Sequence, residues 1–494
     1  MNISVDKVYK YPTHYRLTDY TPGDCPALET AFSAYVKPPY PNGPVHFDPI
    51  GLVYDRQRKE LRIPGGAPEG YISKLTERVI NIIHQCDDFD TISVRMTKYP
   101  RNDLQRDMVQ FLIGGGKFCD TKNFQQLSCN AETGEGKTYG AISAMTYMRC
   151  KMAIIVNRKD IRESWAKEIA TFTDIDKTRI LSITPEVARR ILKGKINVSK
   201  YYVFIMLHNT LRSIASKSGW DTITKLFQMF RVGLKVYDEA NMEFANSVYI
   251  DAYTNTYKTL YLTATMERAS EYEDKVFQRA FSAVPKFNQY DLGYTESKRH
   301  IHMIALIYDS KPTSIEIEDC KVKGLGYFDP KKHSEYQINR DPLFFEILHG
   351  LIDKFTVKNQ MRTVVFVAKI NPCDVVKTDL ENTYPDKKVG AYNSSIPDKE
   401  KERVRDECDI ITSINKSLGF ASTIPNLRCV INCQAFSFDG IGDQMSGRLR
   451  RLATGEECWY IELIDRGFKT IYNQWKKRKK HYEKIFKEII ELKY

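Results

Sequence analysis

Ala131-Glu132-Thr133-Gly134-Glu135-Gly136-Lys137-Thr138 is the stretch on which the reading of this sequence turns. It follows a polar, cysteine-containing run, Gln126–Asn130, and leads into Tyr139-Gly140-Ala141-Ile142-Ser143-Ala144-Met145, which reads as the start of a helix. A glycine loop that opens a helix leaves several backbone N–H groups aimed at one point. With the positive end of the helix dipole behind them, those groups make a pocket for phosphate. Lys137 adds a point charge for the outer phosphates, and the Thr138 hydroxyl is a candidate ligand for the nucleotide's Mg²⁺. Glu132, Thr133, Gly134, Glu135 and Gly136 complete the expected nucleotide-binding loop. Ala131 stands where the pattern G-x-x-x-x-G-K-[ST] begins with glycine, and the competing reading is a plain turn before a helix. The rest of the chain supplies the context that decides.

A chain of 494 residues is too long for one ordinary core, so two to four domains are expected. A hydrophobic share of 42% with 28% charged residues is that of a soluble globular protein. No run approaches the roughly 20 apolar residues that cross a bilayer, and Met1 to Lys7 lacks the apolar core of a signal peptide. The 11 cysteines form no C-x-x-C pair, and we read them as reduced thiols in a cytoplasmic compartment, without a structural zinc. A net charge of +12 favours an anionic partner such as nucleic acid, the competing reading being simply a basic soluble protein, and no membrane partner is expected.

Short apolar runs dominate residues 1–95. Those at 51–55 and 60–64, with a Pro-Gly-Gly-Ala-Pro turn at 64–68, predict a small sheet, and the spacing from Tyr71 to Cys86 predicts a helix. We expect an N-terminal α+β accessory domain there. Tyr99 to Val109 reads as a loop entering a helix, and the Gln105 amide, both donor and acceptor, is a candidate reader of an adenine edge. Beyond the loop, strand-like runs near 153–156, 179–183, 202–206, 232–237 and 259–263 alternate with helical stretches. Buried strands with helical crossovers predict a parallel α/β sheet whose ligands sit at the carboxyl ends of the strands. Asp238 and Glu239 fall at one such end: Asp238 is assigned to Mg²⁺, Glu239 to the attacking water. Thr263 and Thr265 end the next strand, as coupling residues or as a plain helix cap.

A second α/β pattern follows, with a helix at 344–355 and strand-like runs near 363–368, 389–392, 409–413 and 429–433. Gly447-Arg448-x-x-Arg451 puts two guanidinium groups on one helical face, suited to the charge of a transferring γ-phosphoryl group. This half contains no second phosphate loop. The basic run Trp475 to Tyr482 opens a C-terminal helix and is a candidate phosphate-backbone contact. The expected division is a 1–95 accessory domain, a 96–300 ATP-binding lobe, a 301–340 connection or insertion, a 341–470 second lobe, and a 471–494 basic helix.

Taken in order, these segments resemble the superfamily-2 helicases and translocases over roughly residues 98–465. Gln105, the loop at 131–138, Asp238-Glu239-Ala240-Asn241, Thr263-Ala264-Thr265 and Gln444-Met445-Ser446-Gly447-Arg448-Leu449-Arg450-Arg451 fit that superfamily's adenine, phosphate-loop, DEAD/DEAH-like, coupling and arginine-finger motifs. The resemblance implies two RecA-like lobes with ATP between them, Arg448 and Arg451 as catalytic arginines, and Gln444 as a coupling residue. It implies strand contacts at Arg158, Lys159, His208, Asn209, Thr210, Asn393, Ser394, Ser395 and Thr412. Asn241 in the box departs from the DEAD and DEAH subfamilies. The small N-terminal domain and compact motor look most like the phage UvsW-type helicases. That likeness implies a monomeric enzyme on single-stranded and branched DNA in the (host) cytoplasm, serving replication and recombination. The alternatives are an RNA helicase, a decayed helicase scaffold that binds nucleic acid without hydrolysis, and a phosphate-loop ATPase of another kind.

Overall fold

The computed structural model describes residues 7–36, 46–132, 134–264, 271–294, 300–324, 326–418, 424–436, 442, 445–449 and 456–494. The chain divides into two compact units, Met1–Gly293 and Tyr294–Tyr494.

The first unit opens with β1 (Lys7–Lys10), β2 (His14–Leu17), β3 (Ala34–Val36), β4 (His46–Asp48), β5 (Val53–Asp55), β6 (Glu60–Pro64) and β7 (Val79–Ile82). Five of these form a sheet in the order β5-β6-β2-β1-β7, and β3 pairs with β4. The helix expected over 71–86 covers only Glu69–Thr76. Glu77 caps it at φ 55°, and the β-branched run that follows pairs in parallel with β1 as β7. This region shares a core with what comes after it. Tyr15, Leu28, Phe32 and Ile63 belong to one buried cluster with Tyr237, Phe244, Tyr261 and Phe277. Arg62 donates to the Ala252 carbonyl at 2.7 Å and lies 4.2 Å over the Tyr253 ring, and the Thr13 hydroxyl donates to the Thr254 carbonyl at 2.6 Å.

A seven-stranded parallel sheet follows: β8 (Gln126–Asn130), β9 (Met152–Val156), β10 (Ile180–Ile183), β11 (Val203–Leu207), β12 (Leu234–Asp238), β13 (Lys258–Thr263) and β14 (Lys286–Asn288), in the order β10-β11-β9-β12-β13-β8-β14. Met152–Val156 and Lys258–Thr263 are buried at every position, as strands covered on both faces must be.

The second unit repeats that plan. Its strands are β15 (Ile301–Tyr308), β16 (Arg362–Val367), β17 (Val389–Tyr392), β18 (Ile410–Ile414), β19 (Leu427–Asn432), β20 (Cys458–Asp465) and β21 (Glu488–Lys493), in the order β17-β18-β16-β19-β20-β15-β21. Counted from each sheet's own first strand, the two orders are identical. The repeat explains two departures from the sequence reading. Ile301–Tyr308, whose residues 301–307 read as strand-like but which the expected division put at the start of a connection, is a wholly buried strand between β20 and β21, in the place β8 holds in the first sheet. The C-terminal helix ends at Ile485, and Ile489 and Ile490 lie in β21, paired along β15 as β14 is along β8. Two RecA-like parallel sheets with a small N-terminal α+β region are thus the architecture.

Candidate active site

The loop after β8 sits between two neighbours. Ala131 N–H donates to the Thr263 carbonyl on the β13 side at 3.2 Å. On the β14 side, Glu132 N–H donates to Gln289 Oε1 at 2.9 Å and the Tyr290 hydroxyl donates to Glu132 Oε1. Gly134 and Gly136 take φ 91° and 98°, values that only glycine adopts without strain, and the helix Lys137–Met148 starts directly after them. A Cβ on Gly136 would lie 2.0 Å from Gln105 Nε2, so the loop also needs glycine for space. Gln105 is buried, and its Oε1 accepts from Arg101 N–H at 2.9 Å. In this arrangement the Gln105 amide props the phosphate loop. Arg101 reinforces the prop by donating to the Gly134 carbonyl and pairing with Glu135 at 3.5 Å. Lys137, 8% exposed, donates through Nζ to the carbonyls of Ala131 at 2.6 Å and Glu132 at 3.2 Å. Thr138 follows in the first helical turn, half-buried, and Thr133 lies outside the described residues.

Asp238 ends β12, with β13 on one side and β9 on the other, so it shares a sheet edge with the loop. Burial raises the Asp238 carboxyl above the usual range, while the Trp165 N–H and the nearby Lys137 charge pull it back. The Trp165 indole Nε1 donates to Asp238 Oδ2 at 2.8 Å, and Glu239 N–H donates to Oδ1 at 3.1 Å. Trp165 sits in the helix Lys159–Phe172 and is 1% exposed. The sequence showed it only as an apolar helix position; no pattern in a single chain marks an indole N–H as a carboxylate partner. Glu239 takes φ 51°, a left-handed backbone that costs a non-glycine residue of order 1 kcal/mol and is common where function fixes geometry. Thr263 is fully buried at the end of β13, and Thr265 lies outside the described residues. No group of three or more His, Cys, Asp or Glu that could hold a metal occurs among the described residues. A nucleotide's Mg²⁺ needs no such cage. It is held by one or two protein oxygens with the phosphates and water, and Thr138 and Asp238 are the side chains expected to offer them.

The positions expected to touch a nucleic-acid strand divide into surface and core. Lys159, Asn209, Ser394 and Ser395 are exposed, and Arg158 is half-buried with its guanidinium clamped on Asp160 at 3.0 and 3.1 Å. His208 is 1% exposed, stacked 5.8 Å from the Tyr237 ring, with Nδ1 3.0 Å from the Asn246 amide; its pKa is lowered to about 3, chiefly by burial. Thr210 is also buried. In the second unit Asn393 is fully enclosed, its Oδ1 accepting from Ser395 N–H at 2.9 Å and its Nδ2 donating to Asp374 at 3.3 Å. Thr412 is equally buried and accepts from the Cys373 thiol at 3.4 Å. Enclosed side chains of this kind shape the neighbouring surface rather than form it. Arg448 is buried, and Gln444 and Arg451 lie outside the described residues.

The basic C-terminal helix, Lys469–Ile485, has two faces. Trp475, Arg478 and Tyr482 face inward, with Arg478 1% exposed, paired with Glu462 and lying 4.1 Å over the Phe436 ring. Lys476, Lys477 and Lys480 are exposed. Arg478, read from sequence as part of a phosphate-contacting run, is thus a core ion pair.

Residues 89–268 match the family described as "Type III restriction enzyme, res subunit". No curated protein sequence is significantly similar to the chain. Among solved structures, Dbp5 of S. cerevisiae bound to RNA and ADP–BeF3 is 13% identical, with 79% of this chain and 89% of that chain covered and a TM-score of 0.53. The DEAD-box helicase Mss116, bound to single-stranded RNA and UDP–BeF, is 14% identical, with 79% and 74% covered and a TM-score of 0.54. A fragment of a putative HsdR subunit of a type I restriction enzyme from Vibrio vulnificus is 13% identical, with 79% and 68% covered and a TM-score of 0.51. At these identities the likeness is one of fold. Together with the family match over residues 89–268, it supports a superfamily-2, ATP-dependent helicase-type enzyme.

Proposed function

We propose that this protein couples ATP hydrolysis to movement along DNA and remodels forked or branched duplexes. The observation that carries the reading is the meeting, at one end of the first sheet, of a glycine-turned phosphate loop bearing Lys137 with the Asp238–Glu239 pair. Lys137 takes the outer phosphates, which replace the Ala131 and Glu132 carbonyls it now holds. Thr138 and Asp238 would hold Mg²⁺, which would supply positive charge against the phosphates. Glu239 orients the attacking water. Arg448 and Arg451 carry the guanidinium chemistry suited to the charge that spreads over a γ-phosphoryl group. Loss of that phosphate removes the charge these cations face. A change in which conformation they favour then moves the strand, since only differential contacts shift such an equilibrium.

The net charge of +12 and the exposed Lys159, Lys476, Lys477 and Lys480 support an anionic polymer as partner. The branched-DNA reading rests on the resemblance carried by the small N-terminal region, which shares a buried core with the first sheet. The deciding experiment is an ATPase assay with single-stranded, duplex, forked and four-way DNA and matching RNAs, with unwinding and branch migration followed in parallel. Forked and four-way DNA are expected to stimulate most. Lys137→Ala is expected to abolish hydrolysis, Glu239→Gln to keep ATP binding but lose turnover, and Arg451→Ala to slow turnover. Equal rates in all three variants and the wild type would refute the site, and stimulation by RNA alone would refute the DNA assignment.

A further inference from the structure

Gln289 and Tyr290 lie past the end of β14, beyond the residues matched by the restriction-subunit family, in a stretch whose sequence carries no motif. Gln289 is fully buried. Its own N–H donates to the Asn130 carbonyl at 3.3 Å, extending the β14–β8 ladder by one rung, and its side chain then takes the next rung by accepting from Glu132 N–H at 2.9 Å. Tyr290, 41% exposed, closes over the same residue by donating to its carboxylate. On the opposite flank, Ala131 N–H is held by the Thr263 carbonyl. The first two residues of the phosphate loop are therefore fixed from both neighbouring strands before any nucleotide arrives.

These are the two residues whose carbonyls receive Lys137 Nζ. Their placement decides where the lysine waits and how far it travels to a phosphate. Glu132 also brings a negative charge to the mouth of an anion site, where a free carboxylate would repel a triphosphate at a cost set by distance and local dielectric. A hydroxyl donor holds that carboxylate on the β14 side. Backbone bonds alone would not do this: a glycine or alanine in place of Gln289 would still make the Asn130 bond but would take away the Oε1 acceptor that the Glu132 N–H now meets.

We propose that Gln289 and Tyr290 form a positioning latch on the phosphate loop that sets the affinity of this site for nucleoside triphosphate. The inference rests on the ATP-binding reading above. The latch acts on binding, because its bonds are made to the resting loop and none is made to a reacting atom. It stands at the very end of the first unit, where the chain leaves for the second.

The test uses the full-length protein with Gln289→Met, which keeps bulk and removes the acceptor, and Tyr290→Phe, which removes only the hydroxyl. Binding is read with a fluorescent, ribose-labelled ATP analogue, and turnover by steady-state hydrolysis of ATP. The nucleotide-free melting midpoint serves as a check of folding. Gln289→Met is expected to raise both the Kd of the analogue and the KM for ATP about tenfold, and Tyr290→Phe about threefold, with kcat within twofold of wild type. Affinities within twofold of wild type in both variants, or a fall in kcat at unchanged KM, would overturn the latch. If Gln289→Met does not fold, Tyr290→Phe carries the test alone. Wild-type protein that binds the analogue no better than Lys137→Ala would instead overturn the ATP reading itself, and the latch with it.

Discussion

Replacing His208 with Phe separates two roles that the sequence could not distinguish, a contact with a nucleic-acid strand and a neutral side chain in the core. The imidazole is enclosed, stacked on Tyr237 and bonded to Asn246, and the Arg212 charge also disfavours its charged form. Its pKa is lowered from 6.5 to about 3. A group whose pKa is depressed by folding contributes stability that is complete above its unfolded value, and that contribution is lost as the pH falls towards the folded one. At pH 5 the unfolded chain takes up a proton at His208 and the native one does not. The interval of 1.5 pH units below 6.5 costs about 2 kcal/mol at 1.36 kcal/mol per unit. His14, also lowered to about 3 by burial with Arg62, Arg16 and Lys235 nearby, adds a similar amount, so the first unit is expected to lose about 4 kcal/mol from these two groups. That is a large share of an ordinary domain's stability. Phe at 208 keeps a ring against Tyr237 and cannot titrate. The variant loses some stability at pH 7 through the Asn246 amide. Its deficit relative to wild type is expected to shrink by about 2 kcal/mol between pH 7 and pH 5. Urea unfolding read by hydrogen exchange on peptides covering β11 and β12 measures this at each pH. A deficit that stays constant across that range, together with weakened DNA binding, would refute the core assignment and restore the strand contact.

Trp165→Phe removes one N–H from the Asp238 carboxylate, a hydrogen bond to a charged group worth about 1.5–3 kcal/mol. The expected result is a several-fold rise in the Mg²⁺ concentration giving half-maximal ATPase and a lower melting temperature for the first unit; an unchanged Mg²⁺ titration would show that the indole only packs. Changing Lys476, Lys477 and Lys480 together to Ala is expected to weaken DNA binding and reduce the slope of log K against log salt by about 0.9 for each phosphate that is no longer neutralised. Circular dichroism should show no loss of fold, because Trp475, Arg478 and Tyr482 hold the helix from its other face.

Much of the fold could be read in the chain because buried parallel strands advertise themselves. Runs such as Ala153-Ile154-Ile155-Val156 and Thr363-Val364-Val365-Phe366-Val367 are apolar on both faces, and they marked both sheets. The apolar strand Cys458–Asp465 also went unread, but several of the strands that escaped notice are strands through their partners rather than their composition. Gln126–Asn130 is polar yet almost wholly buried, because Gln126 bonds the Tyr261 hydroxyl at 2.8 Å and Ser128 lies inside the sheet. Lys286–Asn288 is three residues long and exists through its register with β8, and Glu488–Lys493, exposed at most positions, exists through its register with β15. The same limit holds at the candidate site. Lys137, Asp238 and Glu239 are legible because their chemistry is tied to local spacing, a loop before a helix and a carboxylate pair after a strand. Trp165 and Gln289 reach the site from 73 and 157 positions away in the chain, through one hydrogen bond each. The repeated strand order gives a way past this limit. Because each sheet adds its last strand beside its first, the segment after the last strand of such a sheet is always brought alongside the loop that follows the first. Residues there can grip a phosphate loop without any motif of their own, and in the first unit Gln289 and Tyr290 do so.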